Sequence, residues 1–211
     1  TITGGNTTVY NATDTELTCS TTSTYATGTS IYYEFGYATN VTNFNAGTIT
    51  WLGNPSTTNK YSVAKNAFYG SRYYTCRVYA SDGTKTSNKV KTASTTTKSL
   101  VNARLYFDVA SNGGTISGSV RLYIPYGMTN VYTGRTNTTA GTIPTATKEG
   151  YTFAGWYTES SGGTRVINEN GVVQANVNGW TDSNKNWLRT GTNDNDTTNV
   201  LYAQFTTNEL I

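Results

Sequence analysis

The chain has 211 residues, a formal charge of +3, 13% charged and 36% hydrophobic residues, and 17 tyrosines. That length suits one large β domain or two modules of about 100 residues each, and two is the expectation. Residues 1–100 hold eight Lys/Arg against four Asp/Glu and residues 101–211 hold seven against eight, a balance that excludes the concentrated basic stripe of a nucleic-acid binder.

With so few aliphatic side chains, Tyr and Trp must carry the core, and abundant Thr suits a half-exposed pleated surface, so strands are favoured over helices. In the first hundred residues, short apolar or aromatic runs separated by Gly, Asn, Ser and Thr predict strands at 16–20, 30–37, 48–52, 60–63, 73–80 and 85–91. This is the spacing of a β-sandwich. The stretch Lys91 to Ser99 has no large apolar residue and reads as the start of a linker, giving a first module over 1–92, a linker over 93–102 and a second module over 103–211. Beyond it, strands are predicted at 103–109 and 120–124, a hairpin-like pair around Asn112-Gly113-Gly114, whose turn calls for positive φ. Further strands are predicted at 151–157 and 200–205. Between them, residues 165–199 read as an enlarged loop with one or two short strands, in which Trp180 and Trp187 argue for packing rather than floating.

Two cysteines, Cys19 and Cys76, and no histidine are present. The missing histidine excludes Ser-His and Cys-His nucleophile pairs and an ordinary zinc site, and an exported β domain with a lone cysteine pair has it bridged as a rule. Glu16-Leu17-Thr18-Cys19 and Tyr73-Tyr74-Thr75-Cys76-Arg77-Val78 resemble strands B and F of an immunoglobulin-like domain. Tyr74, two residues before the second cysteine, then stands at the tyrosine corner, with its hydroxyl expected on upstream backbone. The chain departs from that pattern where Tyr32, Tyr33 and Phe35 replace the strand C tryptophan, and where Gly70 and Arg72 replace the Asp and Gly before strand F.

From Ala103 to Phe205 the chain resembles the Listeria-Bacteroides repeat, or internalin B-repeat, family. The resemblance is carried by Leu105-Tyr106-Phe107-Asp108, Asn112-Gly113-Gly114-Thr115, Tyr126-Gly127, the run Ile143 to Tyr157 with Tyr151-Thr152-Phe153-Ala154-Gly155-Trp156-Tyr157, Gly162-Gly163-Thr164, and Leu201-Tyr202-Ala203-Gln204-Phe205. It implies a small β-grasp-like module of bacterial surface proteins, often in tandem, serving as adhesin, stalk or spacer. Tyr151, Phe153 and Tyr157 are expected to share one strand face, and Gly155 to admit close backbone approach. The family is compact where this chain is enlarged after Arg165, so the insertion around Trp180 and Trp187 is the candidate partner-binding surface.

Other sites are weaker. Asn193-Asp194-Asn195-Asp196-Thr197 has oxygen ligands at alternate positions but lacks the Gly and distant Glu of a calcium loop, so it reads as a solvated turn. Glu159, Glu169 and Asp182 are not placed at a glycosidase separation by any sequence observation. Sequons stand at Asn6, Asn11, Asn40, Asn137 and Asn195, and no Lys-Asn isopeptide partner set is evident. No apolar run is long enough to span a membrane as a helix. The chain opens at Thr1 without an initiating Met or signal segment, and so reads as a processed or excised piece.

The expectation is thus an all-β chain with little or no helix, an immunoglobulin-like sandwich followed by a β-grasp-like module, extracellular or at a cell surface. No catalytic, cofactor or metal residues are assigned. The leading role is adhesion or display as adhesin, stalk or spacer; the alternatives are a subunit of an extracellular filament or virion fibre, and a carbohydrate-binding module using exposed indoles. The partner is expected to be a protein or glycan on another surface, or further copies of the chain.

Overall fold

Alternating Tyr74, Cys76, Val78 and Ala80 are buried along one long strand while Arg77 and Tyr79 between them face outward, the period-2 signature that strand geometry imposes on a half-buried sheet. The computed structural model describes residues 1–5, 7–9, 14–65, 67–191 and 197–208. Its contacts divide the chain into an N-terminal unit ending at Leu100 and a C-terminal unit beginning at Val101.

The N-terminal unit contains β1 (Ile2–Thr3), β2 (Thr7–Val9), β3 (Thr15–Cys19), β4 (Ser30–Ala38), β5 (Thr50–Ser56), β6 (Lys60–Val63), β7 (Gly70–Ser81), β8 (Val90–Lys91) and β9 (Thr96–Leu100). One sheet has the order β1-β3-β6, and the other β2-β9-β7-β4-β5 with β8 also on β7. All pairings are antiparallel except β2 with β9. The disulfide Cys19–Cys76, with Cα atoms 6.2 Å apart, ties β3 of the first sheet to β7 of the second. Around it pack Leu17, Phe35, Val63, Tyr74 and Val78. A single turn-length helix, α1 (Val41–Asn45), starts where the Asn40 side chain accepts the Asn43 N–H at 2.8 Å, the ordinary N-cap arrangement.

The linker expected over 93–102 is corrected here. Residues 96–100 form β9, paired with β7 from Gly70 to Tyr74, and Thr96, Lys98 and Leu100 are buried. Alternation was present, but Thr and Lys occupy two of the three inward positions, so a search for apolar residues passes over the strand.

The C-terminal unit contains β10 (Ala103–Asp108), β11 (Thr115–Ser117), β12 (Arg121–Ile124), β13 (Thr145–Thr147), β14 (Tyr151–Tyr157), β15 (Arg165–Asn168) and β16 (Val200–Thr207). The main sheet runs β12-β10-β16-β14-β15, with β10 and β16 parallel at its centre, and β11 and β13 make a separate ribbon. The first and last strands of the unit lie side by side, and each has an antiparallel neighbour on its other edge, β12 on β10 and β14 on β16. One face carries Ala103, Leu105, Phe107, Leu122, Ile124, Trp156, Ile167, Leu201 and Ala203, which are all buried.

The face expected for Tyr151, Phe153 and Tyr157 also needs correction. Phe153 opposes Phe205 and Trp156 opposes Ala203, with a register shift between Phe153 and Gly155. The extra residue of this bulge reverses the parity of the strand, so Trp156 joins Phe153 on the core face and Tyr157 turns to the other. Gly155 sits at φ 120°, and a Cβ there would run into the Ile167 carbonyl oxygen, so the position excludes a side chain.

Candidate functional site

Trp180 and Trp187 are not an exposed platform. Trp187 has no exposed surface, and Trp180 only 7%. The Trp187 indole donates to the Asn130 carbonyl at 3.1 Å, its backbone bonds Met128 and Gly127, and the Arg189 guanidinium lies 4.7 Å from the Trp180 ring centre. Buried Asn199 holds the far end of the insertion by donating to Arg104 and Thr190 carbonyls and accepting from Arg189. Within it, the Asp182 carboxylate accepts from Asn184 and Asn186, which holds its pKa below the usual carboxylate value. The enlarged loop is therefore core-forming, and its indoles belong to the hydrophobic cluster of the main sheet. The run 193–196 lies outside the described residues, as do sequon positions Asn6, Asn11 and Asn195.

In the N-terminal unit Tyr74 is buried among Tyr37, Tyr61 and Phe68, with ring centres 5.9–6.5 Å away. Burial raises its phenol pKa, and the hydrogen-bonded Arg72 guanidinium opposes that rise. On the sheet face opposite the disulfide, Glu34 is 6% exposed and receives two 2.7 Å bonds from Arg77 and one of 3.2 Å from Lys89. The Arg77 hydrogen bond is the main cause that lowers the Glu34 pKa, against a desolvation that raises it. Arg77 also lies 3.9 Å from the Trp51 ring centre and Lys89 5.0 Å from that of Tyr79. These charges satisfy one another and clad the sheet.

Lys98 is the one fully buried lysine of the described residues, and its Nζ meets the Thr15 hydroxyl. Desolvation lowers its pKa.

A concave site in the C-terminal unit is a groove of about 220 Å³. Asn112, at the end of the 3-10 turn Ala110–Asn112, donates to the carbonyls of Ser160 (2.8 Å) and Ala203 (2.6 Å). Gln204 on β16 donates to those of Glu159 (2.8 Å) and Gly162 (2.6 Å). Gly113 follows in the left-handed region at φ 68°, and a Cβ on Gly114 would strike Phe205 and Val109. The Asn-Gly-Gly motif thus closes the turn, seats Phe205 and presents Asn112 to the β14–β15 hairpin. Lys148, Tyr151, Ser160 and Ser161 complete the wall, with the Lys148 Nζ 4.2 Å from the Tyr151 ring centre. Below, Trp156 is fully buried, donates to the Pro144 carbonyl at 2.9 Å and meets Phe107 and Phe153 edge-on.

These parts, the Asn-Gly-Gly turn and the bulged aromatic strand, lie in one sequence match. Residues 104–178 match the Listeria-Bacteroides repeat domain family. Members of that family occur in bacterial surface proteins and are typically non-enzymatic modules. The repeat match covers β10 through β15, whereas β16 and most of the tryptophan-bearing insertion follow it. No curated protein matches the chain. Within the repeat, sequence reasoning singled out Asn112 and Tyr151 but not the groove they share with Lys148, Ser160 and Gln204. The available signal was two amide side chains beside glycine-rich turns, but their convergence depends on β16 pairing with β14.

Proposed function

We propose that the chain is an adhesive or display segment of a surface protein, an immunoglobulin-like module followed by a repeat module. The repeat match over residues 104–178 carries the reading, because that family occurs in bacterial surface proteins. The Cys19–Cys76 disulfide supports it, since such bonds persist in oxidising, extracellular settings. The immunoglobulin-like assignment is supported by strand order: β1-β3-β6 corresponds to A-B-E, and β9-β7-β4-β5 to G-F-C-C′, with the disulfide joining B and F.

The test is fractionation of the native cells with thiol labelling. The surface or extracellular fraction should hold the protein, with Cys19 and Cys76 resistant to labelling before reduction. Recovery from the cytoplasm with two reactive thiols would reject the reading.

A further inference from the structure

The groove beside Tyr151 is built to accept hydrogen bonds. Both N–H groups of Asn112 and both of Gln204 point to backbone carbonyls, which fixes the orientation of each amide. Their two carbonyl oxygens remain as acceptors on rigid supports. Ser160 and Ser161 add exposed hydroxyls from the same hairpin turn, and Tyr151 is 38% exposed. At about 220 Å³, the space falls below the roughly 300–1,000 Å³ of sites for drug-sized ligands, so it suits one ring. The lining is too polar for an apolar ligand, and a single cation is too little for a polyphosphate. A ring with an apolar edge and several hydroxyls matches the tyrosine and the fixed acceptors, and the Lys148 ammonium, held 4.2 Å over the Tyr151 ring centre, matches a carboxylate on that ring.

We propose that this groove binds one carboxylate-bearing pyranose residue of a glycan. The sugar ring lies along the edge of Tyr151, its hydroxyls donate to the oxygens of Asn112 and Gln204, and its carboxylate pairs with the Lys148 ammonium that stands over the phenol ring. Amides pinned by backbone before any ligand arrives lower the ordering cost of binding. This deepens the adhesion reading and rests on it for the biological setting, while binding by the purified chain is measured independently of where the protein resides.

The experiment is a titration of the full chain, followed by amide NMR shifts, with methyl glucuronoside and with methyl glucoside. Shifts confined to residues 112, 148–151, 160–162 and 204–205 are expected with the glucuronoside, at a dissociation constant on the order of 1 mM, with the neutral glucoside about tenfold weaker. Lys148→Met should bring the two sugars to equal affinity, and Tyr151→Ala should abolish both while the remaining spectrum stays dispersed. An absence of shifts at about 20 mM glucuronoside, shifts elsewhere on the chain, or glucuronoside binding unchanged by Lys148→Met would overturn the assignment. Loss of dispersion in Tyr151→Ala leaves the decision to Lys148→Met and to the wild-type comparison of the two sugars.

Discussion

Lys98 shows what a single inward-facing residue does to a sandwich. It sits between Thr96 and Leu100 on the buried side of β9, and among the described residues its polar partner is the Thr15 hydroxyl. An amine so placed costs desolvation energy that one hydroxyl offsets only in part. Its folded pKa is below the ordinary 10.5, so near that pH the unfolded chain binds more protons than the folded one. Stability therefore rises as pH climbs from below the folded pKa to the unfolded one, and is lost as pH falls through that window. Lys98→Met keeps the length of the stem and removes the amine. Denaturant unfolding should show a gain of about 1–3 kcal/mol at neutral pH, and the wild type should close on the variant as pH approaches 10.5. A less stable variant would mean that the Thr15 contact outweighs the burial cost.

At the scale of elements, the bulge in β14 decides what the C-terminal core contains. Were these residues regularly paired with no bulge between Phe153 and Gly155, strict alternation would put Phe153 and Trp156, three positions apart, on opposite faces. The glycine is required because its φ of 120° and the Ile167 carbonyl leave no room for a Cβ. Gly155→Ala should destabilise the unit by about 1–3 kcal/mol from backbone strain alone. Gly150 is the control: its φ is 75°, but open space surrounds it, so Gly150→Asn should be close to neutral because asparagine tolerates the left-handed region. Equal urea midpoints for the two variants would contradict the steric argument. Much of β14 was legible in the sequence, since Tyr-Thr-Phe-Ala-Gly-Trp-Tyr announces a strand. The face of each residue was not, because one inserted residue flips every later side chain and leaves only a glycine as its mark.

For the whole molecule, the disulfide and the tryptophans report on different units. Both cysteines and Trp51 lie before Leu100, while Trp156, Trp180 and Trp187 lie after Val101. Cys19 and Cys76 are 57 residues apart, and opening a loop of that size costs about 4 kcal/mol by the loop-entropy argument. Reduction should lower the unfolding midpoint of the N-terminal unit and leave the main tryptophan fluorescence transition, which reports the C-terminal unit, nearly unchanged. A matching fall of that transition on reduction would contradict separate stability of the two units.

Local chemistry made the all-β class, most long strands, the glycine-rich turns and the repeat motif readable from the chain alone. Alternation, turn residues and aromatic spacing act over a few neighbours, and a linear string preserves them. Tertiary structure alone decided that residues 96–100 are a strand instead of a connection, that Lys98 is buried, and that Asn112, Lys148, Tyr151 and Gln204 line one groove. Each of those outcomes depends on strand register and on a partner far along the chain. A residue's own identity sets what it can bond, but the strand opposite it sets whether it meets solvent or core.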